Sequence, residues 1–206
     1  MLVYTVFLFL VLIMFDILYT YLSQRMQLTL QEFDLVRDLF IIRSMKKGEL
    51  LLREGEVAKY GAFVCTGCLR SYVVDNKGKE HIVQFAPENW WLSDIDSMLH
   101  KKPSLYFMDA IEPTEVLLAE MTSFQKMLDQ LPGFAESFRL GQQKHTAAKD
   151  KRIVSSLTAD AETKYEQFLD KYPGIAQRVP LHMIASYLGI SAETLSRVRK
   201  KWSVKK

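Results

Sequence analysis

Gly189 is the residue that most restricts how the C-terminal part of this chain can fold. It divides the stretch from Pro180 to Trp202 into two segments of helical periodicity. Glycine takes the left-handed conformation that ends a helix, which a residue carrying a Cβ resists. Before it, Leu181, Ile184, Ala185 and Leu188 fall at i, i+3, i+4 and i+7 and predict one apolar face. After it, Ser191 is a good N-cap for a second helix. In that helix Leu195, Val198 and Trp202 recur on one side, with Glu193, Ser196, Arg197 and Lys200 opposite. Two short helices around so tight a turn read as a helix-turn-helix, whose second helix enters the DNA major groove. The bland alternative is an αα-hairpin without a ligand.

Side-chain chemistry favours the first reading. Arg pairs with guanine, Glu accepts from the cytosine amino group, and Ser suits several bases. The last ten residues hold six Lys or Arg and no acid, which suits phosphate contact. Lys201, Lys205 and Lys206 are expected in that role. The run Glu193-Thr194-Leu195-Ser196-Arg197 resembles the Glu-Thr-x-x-Arg recognition-helix core of the Crp/Fnr regulators, with the Ser of its Fnr-like members. The resemblance implies a homodimeric transcription regulator that binds double-stranded DNA, with RNA polymerase as a further partner where it activates. It assigns DNA contacts to Ser191, Glu193, Thr194, Ser196, Arg197, Lys200 and Lys201.

The charge distribution agrees. Residues 1–135 carry 13 basic and 17 acidic side chains, whereas residues 136–206 carry 14 basic and 7 acidic. The basic excess therefore sits in the half that would meet a polyanion. Two cysteines cannot form a disulfide framework, so a reducing cytoplasm is the expected compartment.

Between residues 46 and 120 glycine punctuates short runs rich in β-formers: Leu50–Leu52, Ala62–Cys65, Leu69–Val74, His81–Phe85, Tyr106–Ile111 and Glu115–Glu120. Asn76-Lys77-Gly78 between two such runs is a hairpin signal. The spacing predicts a sandwich or jelly roll. The order of motifs (Lys-Lys-Gly-Glu, Arg-Glu-Gly-Glu, Cys-Leu-Arg-Ser-Tyr) resembles the cyclic-nucleotide-binding barrel of the Crp/Fnr family. Nucleotide binders in that family carry a Gly-Glu pair followed by an Arg. Here the matching segment is Pro87-Glu88-Asn89-Trp90-Trp91-Leu92-Ser93-Asp94, and no arginine lies between Arg70 and Arg139. The barrel is therefore expected not to bind cyclic AMP. An unidentified small-molecule effector would meet Trp90, Trp91, Ser93, Ser104 and Tyr106.

Cys65 and Cys68 are too few for an iron–sulfur or zinc cluster without a second pair, and they read as reduced thiols beside a turn. Asp94 and Asp96 lack a nucleophile or metal motif beside them and read as surface or capping residues. No metal site, cofactor or enzymatic activity is expected.

Helices flank the β region. Residues 28–45 predict a short helix capped by Thr29 with Glu32 completing a capping box, burying Phe33, Val36, Leu39 and Phe40. Thr122 is expected to cap a helix running to Leu131, and a longer one follows from Phe134 to Leu157. In the resembling family that longer helix is the dimerisation helix, and its seam here would be Phe134, Phe138, Gly141, His145 and Ala148. Thr158 or Asp160 caps a helix burying Tyr165, Phe168 and Leu169. The few residues between Tyr172 and Pro180, and after Trp202, leave room for a minimal β-wing or none.

At the other end, Met1 to Phe15 is apolar apart from Thr5, and Asp16 is the first charge. Residues 1–13 are expected to be an extension, either an upstream mis-start before Met14 or an anchor. From Met14 an amphipathic helix turns Ile17, Leu18, Tyr21 and Leu22 inward. The alternative function is a membrane-tethered ligand-binding or signalling module with a structural C-terminal helix pair. The expected class is α+β: residues 14–132 an effector jelly-roll barrel flanked by helices, 133–157 a connecting helix, and 158–206 a helix-turn-helix domain.

Overall fold

The computed structural model describes residues 2–204. Helix α1 (Leu2–Ser23) and α2 (Leu30–Arg37) precede eight strands: β1 (Ile41–Met45), β2 (Leu50–Leu52), β3 (Tyr60–Thr66), β4 (Leu69–Val74), β5 (Glu80–Ala86), β6 (Trp91–Leu92), β7 (Phe107–Ala110) and β8 (Thr114–Glu120). A short helix, α3 (Ile95–His100), interrupts them. Helices α4 (Met121–Gln130), α5 (Pro132–Thr158), α6 (Ala161–Lys171), α7 (Ile175–Arg178), α8 (Leu181–Leu188) and α9 (Ala192–Val204) follow.

The strands form two four-stranded sheets, ordered β1-β8-β3-β6 and β2-β7-β4-β5. Alternation along a strand sends neighbouring side chains to opposite faces. Ala62, Val64, Val116 and Leu118 accordingly join Leu69, Met108 and Ala110 of the other sheet in the jelly-roll interior. Phe63, Cys65, Leu117 and Ala119 face the other way, against Val11, Met14, Phe15, Leu18 and Leu22 of α1 and Phe33 and Val36 of α2. The first sheet is thus buried on both faces, which is why β3 and β8 read as continuous apolar runs.

Two local expectations are corrected. The helix predicted over 28–45 ends at Arg37, although its Thr29–Glu32 capping box is present. Residues 41–45 instead form β1, because β-branched Ile41 and Ile42 pair antiparallel with Leu118 and Leu117. Helix α4 starts at Met121 with Glu120 as N-cap, and Thr122 lies inside its first turn. Asp160 is the cap of α6, accepting from the Thr163 N–H at 2.8 Å.

Helix α1 is continuous through the residue where the short start was expected, with Val11 and Met14 both buried. Ile17, Leu18, Tyr21 and Leu22 turn inward, whereas Leu8, Phe9, Leu12 and Ile13 are exposed. Among the described residues no helix is long and apolar enough to cross a membrane. The chain divides into two compact units, residues 1–71 with 85–141, and residues 72–84 with 142–206. The second unit contains α6 to α9 together with most of the β4–β5 hairpin.

Candidate nucleic-acid interface

The turn between α8 and α9 forms as its residues dictate. Gly189 takes φ +67°, and the N–H of Ile190 reaches back to the Ala185 carbonyl at 3.1 Å. Ser191 then caps α9, its hydroxyl oxygen accepting from the Thr194 N–H at 3.1 Å. Leu195 and Val198 are buried on the inner face of α9, and Trp202 meets Tyr165 edge to face. Ile184, Ala185, Tyr187 and Leu188 anchor α8, and Phe168 and Tyr172 complete an aromatic cluster around Tyr187. Packing fixes the crossing of the two helices and leaves one face of α9 uncovered.

That face carries the predicted contact residues. Ser191, Glu193, Ser196, Arg197, Lys200 and Lys201 are exposed and Thr194 is half-buried. The Arg197 guanidinium rests on the Thr194 hydroxyl at 3.3 Å. Hydrogen bonds from Ser191 and from its own backbone hold the Glu193 carboxyl below the usual carboxylate range, aided by the Arg197 charge. An ionised Glu193 is an acceptor only, the state that suits an exocyclic amino group. Lys201 is turned toward α6, where it pairs with Glu162 at 2.7 Å. Lys205 and Lys206 lie outside the described residues. Among the described residues no strand follows β8, so no wing flanks α9.

The barrel residues named for an effector do not share one face. Trp91 belongs to an aromatic cluster with Phe40, Phe63 and Phe124, whereas Trp90 and Tyr106 pack on the barrel interior. Ser104 is buried and donates to the Asp94 carboxylate at 2.7 Å. The other oxygen of Asp94 accepts from the Ser97 N–H at 3.1 Å, capping α3. Ser93 is half-buried, beside Gly61 of β3. Sequence reasoning missed the buried pair Arg70–Asp109 on β4 and β7, whose bonds are 2.7 and 2.9 Å. Arg70 is thus already committed to a carboxylate.

Cys65 and Cys68 are both buried thiols outside any disulfide. Burial, reinforced by Glu115, pushes the Cys65 thiol up to about 12, which suppresses thiolate chemistry. Among the described residues no group of three or more His, Cys, Asp or Glu side chains is placed to hold a metal ion.

Residues 42–131 match the family model of the cyclic nucleotide-binding domain. No curated protein matches this sequence. Solved structures do. FixK2 from Bradyrhizobium japonicum superposes with a TM-score of 0.68 at 22% identity, covering 81% of this chain and 85% of its own. The catabolite activator protein of Thermus thermophilus gives 0.52 at 21% identity, over 87% and 85% of the two chains. A chain from Eubacterium rectale ascribed to the Crp/Fnr transcriptional regulators gives 0.63 at 15% identity, over 86% and 85%. Residues 42–131 thus match the cyclic nucleotide-binding domain family, and the chain has the fold of the solved Crp/Fnr transcription regulators.

Proposed function

We propose that this chain is a sequence-specific, DNA-binding transcription regulator that acts as a homodimer. The observation that carries the reading is the split character of α9, with Leu195 and Val198 buried and Glu193, Ser196, Arg197 and Lys200 all exposed on the opposite face. The first set packs the helix pair, and the second presents on one open face residue types that pair with base edges and phosphates. Arg197 is the base-reading residue and Lys200 a phosphate contact. Lys201 joins the phosphate contacts by leaving Glu162, an exposed pair worth little on its own.

Helix α5 supports the dimer, through a seam other than the one its sequence suggested. Phe134, Phe138, His145 and Ala148 turn toward their own chain, where burial and the charges of Lys149 and Lys171 lower the basicity of His145. The free side carries Leu140, Ala147, Val154 and Leu157, whose spacings of seven and three are those of a coiled-coil seam. Val154 is 58% exposed and Leu157 81%. Apolar side chains so exposed, in line along one helix, mark a surface that a second copy covers.

The barrel is an effector domain that does not take cyclic AMP or cyclic GMP. The Asp94 carboxylate occupies the α3 N-terminus, and Arg70 is bound to Asp109. A buried cyclic phosphate keeps its charge and needs a cation and free donors there.

The test is selection of duplexes from a random pool, followed by Arg197→Ala on the enriched sequence. Loss of about 1–3 kcal/mol of specific affinity, with relaxed preference at one base pair, is the expected result. Unchanged preference would overturn the assignment of Arg197, and no enrichment at all would overturn the function.

A further inference from the structure

Most of the β4–β5 hairpin, residues 72–84, belongs by its packing to the same compact unit as the helix-turn-helix. Strand β5 lies at the edge of its sheet, and an edge presents unpaired backbone groups. Ser186 of α8 meets two of them, accepting from the Ile82 N–H at 3.0 Å and donating to the Glu80 carbonyl at 2.9 Å. Arg152 donates to the Val83 carbonyl and lays its guanidinium 4.7 Å from the centre of the Tyr187 ring. These bonds hold the hairpin against α8.

Its tip is equally well held. The Asp75 carboxylate accepts from the backbone N–H groups of Lys77 and Lys79, at 2.9 and 3.0 Å, and pairs with His81 at 2.8 Å. Asp75 and Lys79 also close a backbone bond of 3.0 Å, and Gly78 supplies the positive φ that the turn needs. Asn76, Lys77, Gly78 and Lys79 are all exposed. The acid of the turn is consumed in shaping it, while the two ammonium groups are left on a rigid support.

The position of that support matters. Lys79 and His81 line a cavity of about 370 Å³ together with Ser186, Gly189, Ile190 and Ser191. Lys79 therefore faces the N-cap of α9. In a helix-turn-helix the N-terminal residues of the reading helix approach the base edges, so backbone phosphates form the walls on either side. Strand alternation sends the Glu80 side chain to the face opposite His81. No wing flanks α9 among the described residues.

We propose that the β4–β5 hairpin is a second DNA-contacting element, a phosphate-binding arm in which Lys77 and Lys79 grip the duplex backbone beside the groove that α9 reads. The proposal rests on the DNA-binding function above. It assigns the hairpin affinity without sequence preference, because phosphate contacts position a protein and base contacts specify. It also gives the effector domain a part in DNA binding, since β4 and β5 are strands of its second sheet.

The experiment is a salt titration of DNA binding by fluorescence anisotropy. It uses the duplex enriched from a random pool and a scrambled duplex of the same length. Removing one phosphate-neutralising cation makes the slope of log K against log salt shallower by about 0.9. Lys77→Gln with Lys79→Gln removes two cations from each subunit and is expected to flatten it by about 1.8 per bound subunit on both duplexes, and to leave base preference intact. Ser186→Ala, which keeps both lysines but unties the strand edge, is expected to speed amide exchange at Ile82 and to flatten the slope in part. An unchanged slope in the lysine variant, or an altered base preference, overturns the proposal while leaving DNA binding by α9 standing. An unchanged slope in Ser186→Ala with faster Ile82 exchange overturns the docked arm as its basis. Failure of the unmodified protein to bind either duplex overturns the DNA-binding function itself.

Discussion

Asp109→Ala should cost the effector domain about 3–5 kcal/mol of stability, the range for stranding one member of a buried ion pair. The pair is two-pronged, Nε to Oδ1 at 2.7 Å and Nη2 to Oδ2 at 2.9 Å, with side chains 7% and 9% exposed. Charge centres about 4 Å apart at an effective dielectric near 20 attract by about 4 kcal/mol, which gives the same scale. Alternation places Asp109 opposite Met108 and Ala110, so truncation removes the carboxylate that takes two bonds from a buried guanidinium. The variant Arg70→Met with Asp109→Leu removes both charges together. It should recover most of the loss, since a buried pair exchanged for apolar residues is often neutral. Urea unfolding followed through Trp90 and Trp91, both within the first compact unit, with Trp202 of the second unit replaced by Phe, reads the barrel. A single substitution costing under about 0.5 kcal/mol, or a double variant as unstable as the two singles added, would refute the argument.

Three further outcomes follow from the same geometry. Val154→Glu with Leu157→Glu should turn the proposed dimer into a folded monomer in sedimentation, because both side chains are exposed within one chain; a surviving dimer would rule out the proposed seam. The Asp75 carboxyl is held down to about 2, chiefly by its hydrogen bond from His81 and then by the Lys79 and Lys77 amides. Its contribution to the hairpin is full above the ordinary aspartate value and is lost as pH falls through about 2, so a carboxyl NMR titration with a midpoint at 3.8 would contradict the turn. Calorimetry should detect no binding of cyclic AMP or cyclic GMP, since lacking one charge-assisted pair costs a buried anion about 2–5 kcal/mol; micromolar binding of either would show that the barrel supplies a cation elsewhere.

Local chemistry determined much of this protein from the sequence alone. The turn at Gly189, the cap at Ser191, the capping box of Thr29 and Glu32 and the hairpin at Asn76-Lys77-Gly78 depend on neighbours within five residues, and all are present. The two faces of α9 follow from a period that needs no partner. Tertiary structure decided what depends on distant residues. Ile41 and Ile42 became a strand because β8 offered a ladder seventy-odd residues away. The inward side of α5 was settled by what lies beneath it, which left Val154 and Leu157 outside and took His145 in. Trp90 and Trp91 went to opposite faces of one strand end, so a shared pocket could not form from adjacent positions. The bond between Ser186 and the edge of β5 spans about a hundred residues, and no periodicity in either segment announces it. A small hydroxyl on a half-buried helix looks the same in sequence whether it faces water or an open strand edge; only the folded chain brings the unpaired backbone to it.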